Sequence, residues 1–277
     1  MAQRAVIVGA GLGGSLLAHY LGQRGWEVDV YERRGDPRAR DFVGGRSINL
    51  AISARGLHAL ERAGLDAQVR EHGIRYLAAP HEGQKTGAFL DQREARVLAA
   101  GVARGRALDV FSYHGSFALH LARRADTVTA VDVSAAAIAR AAQNAALNGL
   151  TNITGVEADA FDFLRAEEAR GTRYETIVLD PPAFAKNRGA IAGALRGYKE
   201  INLRAMRLLA PGGMLYTASC SYHVGTPDFL AMLGEAAADA GRRIILRAVT
   251  GQPVDHPEVL TIPETGYLKG ALLEAGD

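Results

Sequence analysis

Three acidic residues stand at or near the ends of successive apolar stretches of this sequence. We expect Asp109 to end the first strand, in "ALDVF", Asp132 to end the next, in "TVTAVD", and Asp159 to end the third, in "ITGVEADAF". If these stretches are parallel strands, the carboxylates meet at the sheet edge where such folds bind ligands. At that edge Asp132 can take two ribose hydroxyls, and Asp159 lies within reach of an adenine amino group. As isolated residues they would be helix N-caps or surface carboxylates, which is the interpretation we favour for Asp126 and Asp162.

The turn that follows Asp109 indicates which kind of cofactor the site could bind. It contains one glycine, Gly115, and lacks the G-x-G-x-x-G pattern that cradles a pyrophosphate. Three strand-end acids without that pattern favour a nucleoside cofactor that carries no pyrophosphate. S-adenosylmethionine has this chemistry.

A fourth stretch ends in "LDPPAF", residues 179–184. Two consecutive prolines hold a backbone in a rigid extended turn. Such a turn can aim Asp180 at a planar base on which Phe184 could stack. The alternative is a strand that simply ends in a proline turn.

Cys220, in "TASCSYHV", is the only cysteine of the 277 residues. It is either a nucleophile or a small buried apolar residue, which is the commoner role of a free cysteine. A single cysteine excludes an internal disulfide framework and fits a reducing cytosol.

Apolar stretches alternate with amphipathic helical patterns from about residue 82 onward, and this alternation positions all of these residues. It predicts an α/β fold with a doubly wound, mostly parallel sheet. We expect two domains, a truncated βαβ fragment over residues 1–74 and a catalytic domain over 75–277.

The opening of the chain has a different pattern. Gly9, Gly11 and Gly14 form G-x-G-x-x-G between a short strand and a helix, and a second strand, Glu27 to Tyr31, leads to Glu32. In this context the pattern favours dinucleotide binding, with Glu32 at the ribose. The alternative is that the glycines serve only the tight turn.

Residues 3–72 resemble the FAD-binding start of flavin-dependent aromatic hydroxylases of the kynurenine 3-monooxygenase type, through "YERRGDPRARDFVGGRSINLAISARGLHALERAGL". The resemblance implies that FAD would face Gly9, Gly11, Gly14, Glu32, Arg33 and Arg55. The family's later Gly-Asp motif and its covering sheet are missing, so we expect a fragment that cannot enclose a flavin. Its open strand edges should dock on the other domain, form a homodimer or be poorly ordered.

Residues 76–275 resemble the class I methyltransferases that make 5-methylcytosine in large-subunit ribosomal RNA. The motifs are "EGQKTGAFLDQRE", "FSYHGSFALH", "DPPAF" and "SCSYHV". The resemblance implies an S-adenosylmethionine site at Asp109, Phe111, Gly115, Asp132 and Asp159. It implies a substrate site at Gln84, Lys85, Thr86, Arg93, Pro181 and Phe184, with Asp180 and Cys220 as catalytic residues.

The implied reaction needs an accessible thiolate, for whose activation Lys85 and His223 are candidates. Two features depart from the family. His114-Gly115-Ser116 replaces Thr-Gly-Gly, and a flavoprotein-like fragment stands where an RNA-binding domain is usual. We therefore weigh four hypotheses: a cytosine-C5 RNA methyltransferase, a methyltransferase acting at another position, a flavin protein, and a chimeric chain in which neither half is competent.

The composition fits a globular protein, with 48% hydrophobic and 22% charged residues. A net charge of +2 permits an RNA partner without arguing for one. We find no apolar run of membrane-spanning length and no signal peptide, so we expect a cytoplasmic protein.

Overall fold

The structure, a computed structural model, describes residues 3–8, 12–31, 68–77, 89–185, 188–254 and 256–276. The chain divides into two compact units. The first comprises residues 1–69 and 78–88, and the second comprises residues 70–77 and 89–277.

The described part of the first unit is a βαβ motif, as predicted. Strand β1 (Arg4–Val8) leads into helix α1 (Leu12–Gly22), and β2 (Glu27–Tyr31) pairs with β1 in parallel. Gly14 lies within α1. The other residues predicted to face FAD lie outside the described residues: Gly9, Gly11, Glu32, Arg33 and Arg55.

A β-hairpin precedes the large sheet in the chain. Strands β3 (Gln68–Glu71) and β4 (Ile74–Leu77) pair across a two-residue turn with positive φ, typical of tight hairpins. The predicted domain boundary, between residues 74 and 75, falls inside β4 and stays a proposal.

The second unit contains a seven-stranded sheet with the order β10-β11-β9-β8-β5-β6-β7. All neighbouring pairs among β5 to β9 are parallel, and β11 is antiparallel to both β9 and β10. The predicted mostly parallel α/β sheet is confirmed. Its strands are β5 (Arg106–Val110), β6 (Thr127–Asp132), β7 (Ile153–Glu157), β8 (Tyr174–Leu179), β9 (Leu209–Ser219), β10 (Ile244–Thr250) and β11 (Lys269–Ala275).

Helices cover both faces of this sheet, which explains why its central strands read as continuous apolar runs. One buried cluster joins the sheet to α5, α6 and α7, and the other joins it to α2 and α3. The helices are α2 (Arg93–Val102), α3 (Ser116–Leu121), α4 (Ala135–Leu147), α5 (Ala160–Ala169), α6 (Ile191–Leu208) and α7 (Thr226–Ala240). No helix in the described ranges combines the length and apolar character needed to cross a membrane.

Two asparagines attach the hairpin to the sheet domain. Asn148 accepts from the Arg75 amide at 2.8 Å and donates to the Arg75 carbonyl at 2.7 Å. Asn144 accepts from the Leu77 amide at 2.7 Å and donates to the His114 carbonyl at 3.0 Å. Asn144 therefore links β4 to the turn that follows β5.

Candidate active site

The turn between β5 and α3 has an unusual backbone. Phe111, Tyr113 and Gly115 have φ values of 66°, 49° and 77°. Positive φ is uncommon for residues other than glycine, so this turn must be held by its surroundings. At Gly115 a side chain is also excluded by packing, since a Cβ there would lie 2.9 Å from the Ala141 Cβ. The predicted role of Gly115 in the turn thus has a steric basis.

Asp132, at the end of β6, holds this turn from the neighbouring strand. Its Oδ2 accepts from the Tyr113 amide at 2.9 Å, and its Oδ1 accepts from the Ser134 amide at 2.9 Å. Each carboxylate oxygen keeps a further lone pair. The geometry is compatible with the ribose contact that the sequence predicts.

Asp109 positions the same turn from within the protein. The residue is 1% exposed, and its Oδ2 accepts from the Ala118 amide at 2.8 Å, which fixes the start of α3. Burial raises the pKa of this carboxyl to about 8; the Ala118 bond opposes the shift and the charge of Asp180 adds to it. The predicted contact of Asp109 with S-adenosylmethionine stays a prediction.

Asp159 follows β7 and caps α5. Its Oδ1 accepts from the amides of Phe161 and Asp162 at 2.9 and 3.1 Å. Within the described residues Oδ2 accepts no hydrogen bond, so one oxygen of this exposed carboxylate can still meet an adenine. Asp162 and Asp126 are exposed, as expected for surface carboxylates, and Asp162 pairs with Arg165.

These residues fit S-adenosylmethionine. The carboxylates of Asp132 and Asp159 lie at the ends of adjacent parallel strands. Ser112, in the turn, is 5% exposed, and its hydroxyl makes no hydrogen bond to any described residue. A buried, unpaired polar atom calls for a partner, and a polar ligand in the turn would supply one.

Asp180 follows β8 and is held by a residue for which the sequence analysis assigned no role. Gln92, which is 2% exposed, donates from Nε2 to Asp180 Oδ1 at 2.7 Å. Gln92 Oε1 accepts from the Tyr216 hydroxyl at 3.4 Å. The motif "LDQRE" contributes to the family resemblance, but its spacing contains no signal that points to Asp180.

Phe184 is part of an aromatic cluster. Its ring centroid lies 4.6 Å from that of Tyr198, 6.2 Å from Phe161 and 6.3 Å from Phe111. Phe111, predicted at the cofactor, therefore packs against this cluster. Stacking of Phe184 on a base stays a prediction.

Cys220 comes directly after β9 and is half-buried. Its Sγ lies 3.9 Å from the carbonyl oxygen of Pro181, which follows the neighbouring strand β8. The structure thus brings Cys220 to Asp180-Pro181. His223 is half-buried, with its ring 5.1 Å from that of Tyr222.

The remaining predicted substrate residues precede β5. Arg93 begins α2 and pairs with Glu94 at 3.2 Å. Gln84, Lys85 and Thr86 lie outside the described residues.

Comparison with known proteins agrees with this geometry. The family model of S-adenosylmethionine-dependent methyltransferases matches residues 57–272. The chain belongs to this family. S-adenosylmethionine is therefore the cofactor of this methyltransferase. A second family model, of an NAD(P)-binding Rossmann-like domain, matches residues 7–93. The finer resemblance of the opening to hydroxylases stays a prediction.

Curated relatives of this methyltransferase are longer than the chain. Ribosomal RNA large subunit methyltransferase I of Serratia proteamaculans is 43% identical over 206 residues, or 73% of this chain and 52% of the relative. Its namesake from Shewanella amazonensis is 38% identical over 258 residues, or 92% of this chain and 63% of the relative. The chain thus spans less than two thirds of their length.

A solved structure shares the fold. A Streptococcus mutans protein described as a candidate SAM-dependent methyltransferase superposes with a TM-score of 0.67 at 22% identity. The match covers 75% of this chain and 55% of that one. At this identity the likeness shows the fold alone.

Proposed function

We propose that this methyltransferase modifies carbon 5 of cytosine in large-subunit ribosomal RNA through a covalent adduct with Cys220. The observation that carries the proposal is the approach of the Cys220 thiol to Pro181, beside Asp180. A nucleophile and an acid thereby share the sheet edge with the cofactor residues. The RNA substrate is inferred from the relatives, which are named ribosomal RNA methyltransferases.

Carbon 5 of cytosine is a weak nucleophile, and the residues at this edge of the sheet can increase its nucleophilicity. Addition of the Cys220 thiolate at carbon 6 makes carbon 5 enamine-like. Asp180, oriented by Gln92, is the acid of this step: in its protonated form it donates to ring nitrogen 3 as negative charge develops there, and it takes the proton back when the ring is restored. Bound S-adenosylmethionine supplies the electrophilic methyl group. Loss of the carbon 5 proton to a base then restores the ring and expels the Cys220 thiolate.

The test uses RNA that contains 5-fluorocytosine, in which the fluorine blocks the final proton loss and traps the adduct. The wild-type protein should form a complex that survives denaturing electrophoresis. Cys220→Ala should lose both this complex and methylation of ordinary RNA. Tyr222→Phe, at an exposed tyrosine two residues away, is the control and should behave as the wild type. Methylation retained in Cys220→Ala would contradict the proposal.

A second candidate is methylation of a base amino group. It is favoured by the Asp180-Pro181-Pro182 run after β8, because a fixed carboxylate can accept from an exocyclic amine. This chemistry needs no thiol adduct, so Cys220→Ala would keep its activity.

The partners follow from the first proposal. We propose an RNA partner and, from the bacterial relatives, a cytoplasmic location. The homodimer and FAD binding by the first unit stay predictions. A purified protein that neither shows a flavin spectrum nor takes up FAD would remove the flavin alternative.

A further inference from the structure

Cys220 lies beside a buried lysine that the sequence analysis did not single out. We propose that Lys269 positions the turn after Cys220 and that its ammonium stabilises the Cys220 thiolate. The inference rests on the proposed function only in making this thiol the nucleophile, and its test is independent of methyl transfer.

The geometry comes from the antiparallel strand β11. Lys269, its first residue, pairs in register with Ser219, the last residue of β9. Its Nζ donates to the carbonyl oxygens of Ser221 and Val224, both at 2.6 Å. These two carbonyls bracket the turn that Cys220 enters. One side chain therefore fixes the backbone immediately after the thiol.

The proposed electrostatic effect of Lys269 on the thiolate follows from the burial of its ammonium without a carboxylate partner among the described residues. Lys269 is 4% exposed, and among the described residues no carboxylate forms an ion pair with its ammonium. An uncompensated buried charge is costly, so a nearby anion is favoured. Burial lowers the pKa of Lys269 to about 8, while negative charge on Cys220 acts in the opposite direction. Because such coupling is reciprocal, the ammonium must favour the thiolate.

Other titratable groups face Cys220, but they cannot stabilise its thiolate with a positive charge. Burial raises the pKa values of Tyr198 and Tyr267, so both hydroxyls are neutral near pH 7. Tyr267 also donates to Asp91 Oδ2 at 2.6 Å. Among the described groups that interact electrostatically with Cys220, Lys269 is the one that carries a positive charge.

The single cysteine makes the thiol directly measurable. Alkylation of thiols by iodoacetamide reports Cys220 alone, since the chain has no other cysteine. The rate is measured from pH 5.5 to 10, because only the thiolate reacts. We compare the wild type with Lys269→Met, Lys269→Arg and the control Lys199→Met. Lys199 lies on α6 and pairs with Glu235 and Asp239.

In Lys269→Met the midpoint of the plot of alkylation rate against pH should rise by about one pH unit. The alkylation rate at pH 7 should fall by up to about tenfold. Lys269→Arg keeps a charge at every pH used and should keep the midpoint of the wild type. Lys199→Met should match the wild type. Loss of a lysine with only structural importance would not move the midpoint.

Circular dichroism establishes which variants fold. A folded Lys269→Met with an unchanged midpoint overturns the inference, whatever Cys220→Ala does to methylation. If Lys269→Met fails to fold, Lys269→Arg decides, since a folded Lys269→Arg whose midpoint rises by a unit also overturns it. Conversely, methylation retained in Cys220→Ala refutes the proposed function and leaves the alkylation result standing.

Discussion

Replacing Asp109 by asparagine tests the physical character of the cofactor turn. Asparagine keeps the shape and an oxygen that can accept from the Ala118 amide, but it cannot ionise. Burial raises the pKa of Asp109 in the folded protein to about 8, against about 3.9 for an unfolded aspartate. A carboxyl with a raised folded pKa contributes stability that is fully present below the unfolded pKa. That stability is lost as the pH rises through about 8.

The size of the effect follows from proton linkage. Between these two pKa values the folded state holds one proton that the unfolded state releases, so the wild type loses up to about 1.4 kcal/mol per pH unit. From pH 6 to pH 8 this amounts to about 2 kcal/mol, because the folded carboxyl itself starts to ionise near pH 8. Asp109→Asn should therefore become more stable relative to the wild type by about that amount over this range.

Urea denaturation at pH 6, 7 and 8 measures this difference. The transition should be followed by far-ultraviolet circular dichroism, because the only tryptophan, Trp26, belongs to the first unit. Asp162→Asn removes an exposed carboxylate and should show no such trend. If wild type and Asp109→Asn change in parallel with pH, Asp109 is ionised in the folded protein and the reasoning fails.

Three further substitutions test other parts of the second unit. Gln92→Leu removes the donor to Asp180 and should lower kcat by about tenfold to a hundredfold in a methylation assay, with the melting temperature showing whether the fold survives. Gly115→Ala should cost about 1–3 kcal/mol in urea and weaken S-adenosylmethionine binding in calorimetry. Its control, Gly234→Ala, has nothing within 4 Å of the new methyl and should be neutral or stabilising. Asn148→Ala should cost about 1–3 kcal/mol in urea, because the backbone amide and carbonyl of Arg75 both lose their side-chain partner.

The sheet could be predicted because its pattern is local. Strands covered on both faces are apolar throughout, and β8 is buried along nearly its whole length. The direction of a strand in the sheet, in contrast, is not determined by the local sequence. The run "LKGALLEA" (268–275) has the apolar character of a strand, but its antiparallel insertion depends on pairing with β9 and β10.

Some site residues could not be predicted because their roles arise from distant contacts. Gln92 meets Asp180 across 88 positions, and Lys269 meets Ser221 across 48. A lysine at the start of a strand suggests a solvent-exposed residue until the register is known. The spacing of Asp159 predicts a strand end, with a helix N-cap as the alternative, and the structure shows that this residue follows β7 and caps α5.

The position of β11 has a consequence for biosynthesis. This strand lies between β9 and β10, although both precede it in the chain. While the ribosome is still making residues 220–268, β9 has an open edge and β10 has no partner in the sheet. Long-range pairing of this kind is slow and leaves edges exposed. Cys220 of the nascent chain therefore lacks Lys269, the residue proposed to stabilise its thiolate. We expect the thiol to become strongly nucleophilic only after β11 has paired with β9 and β10.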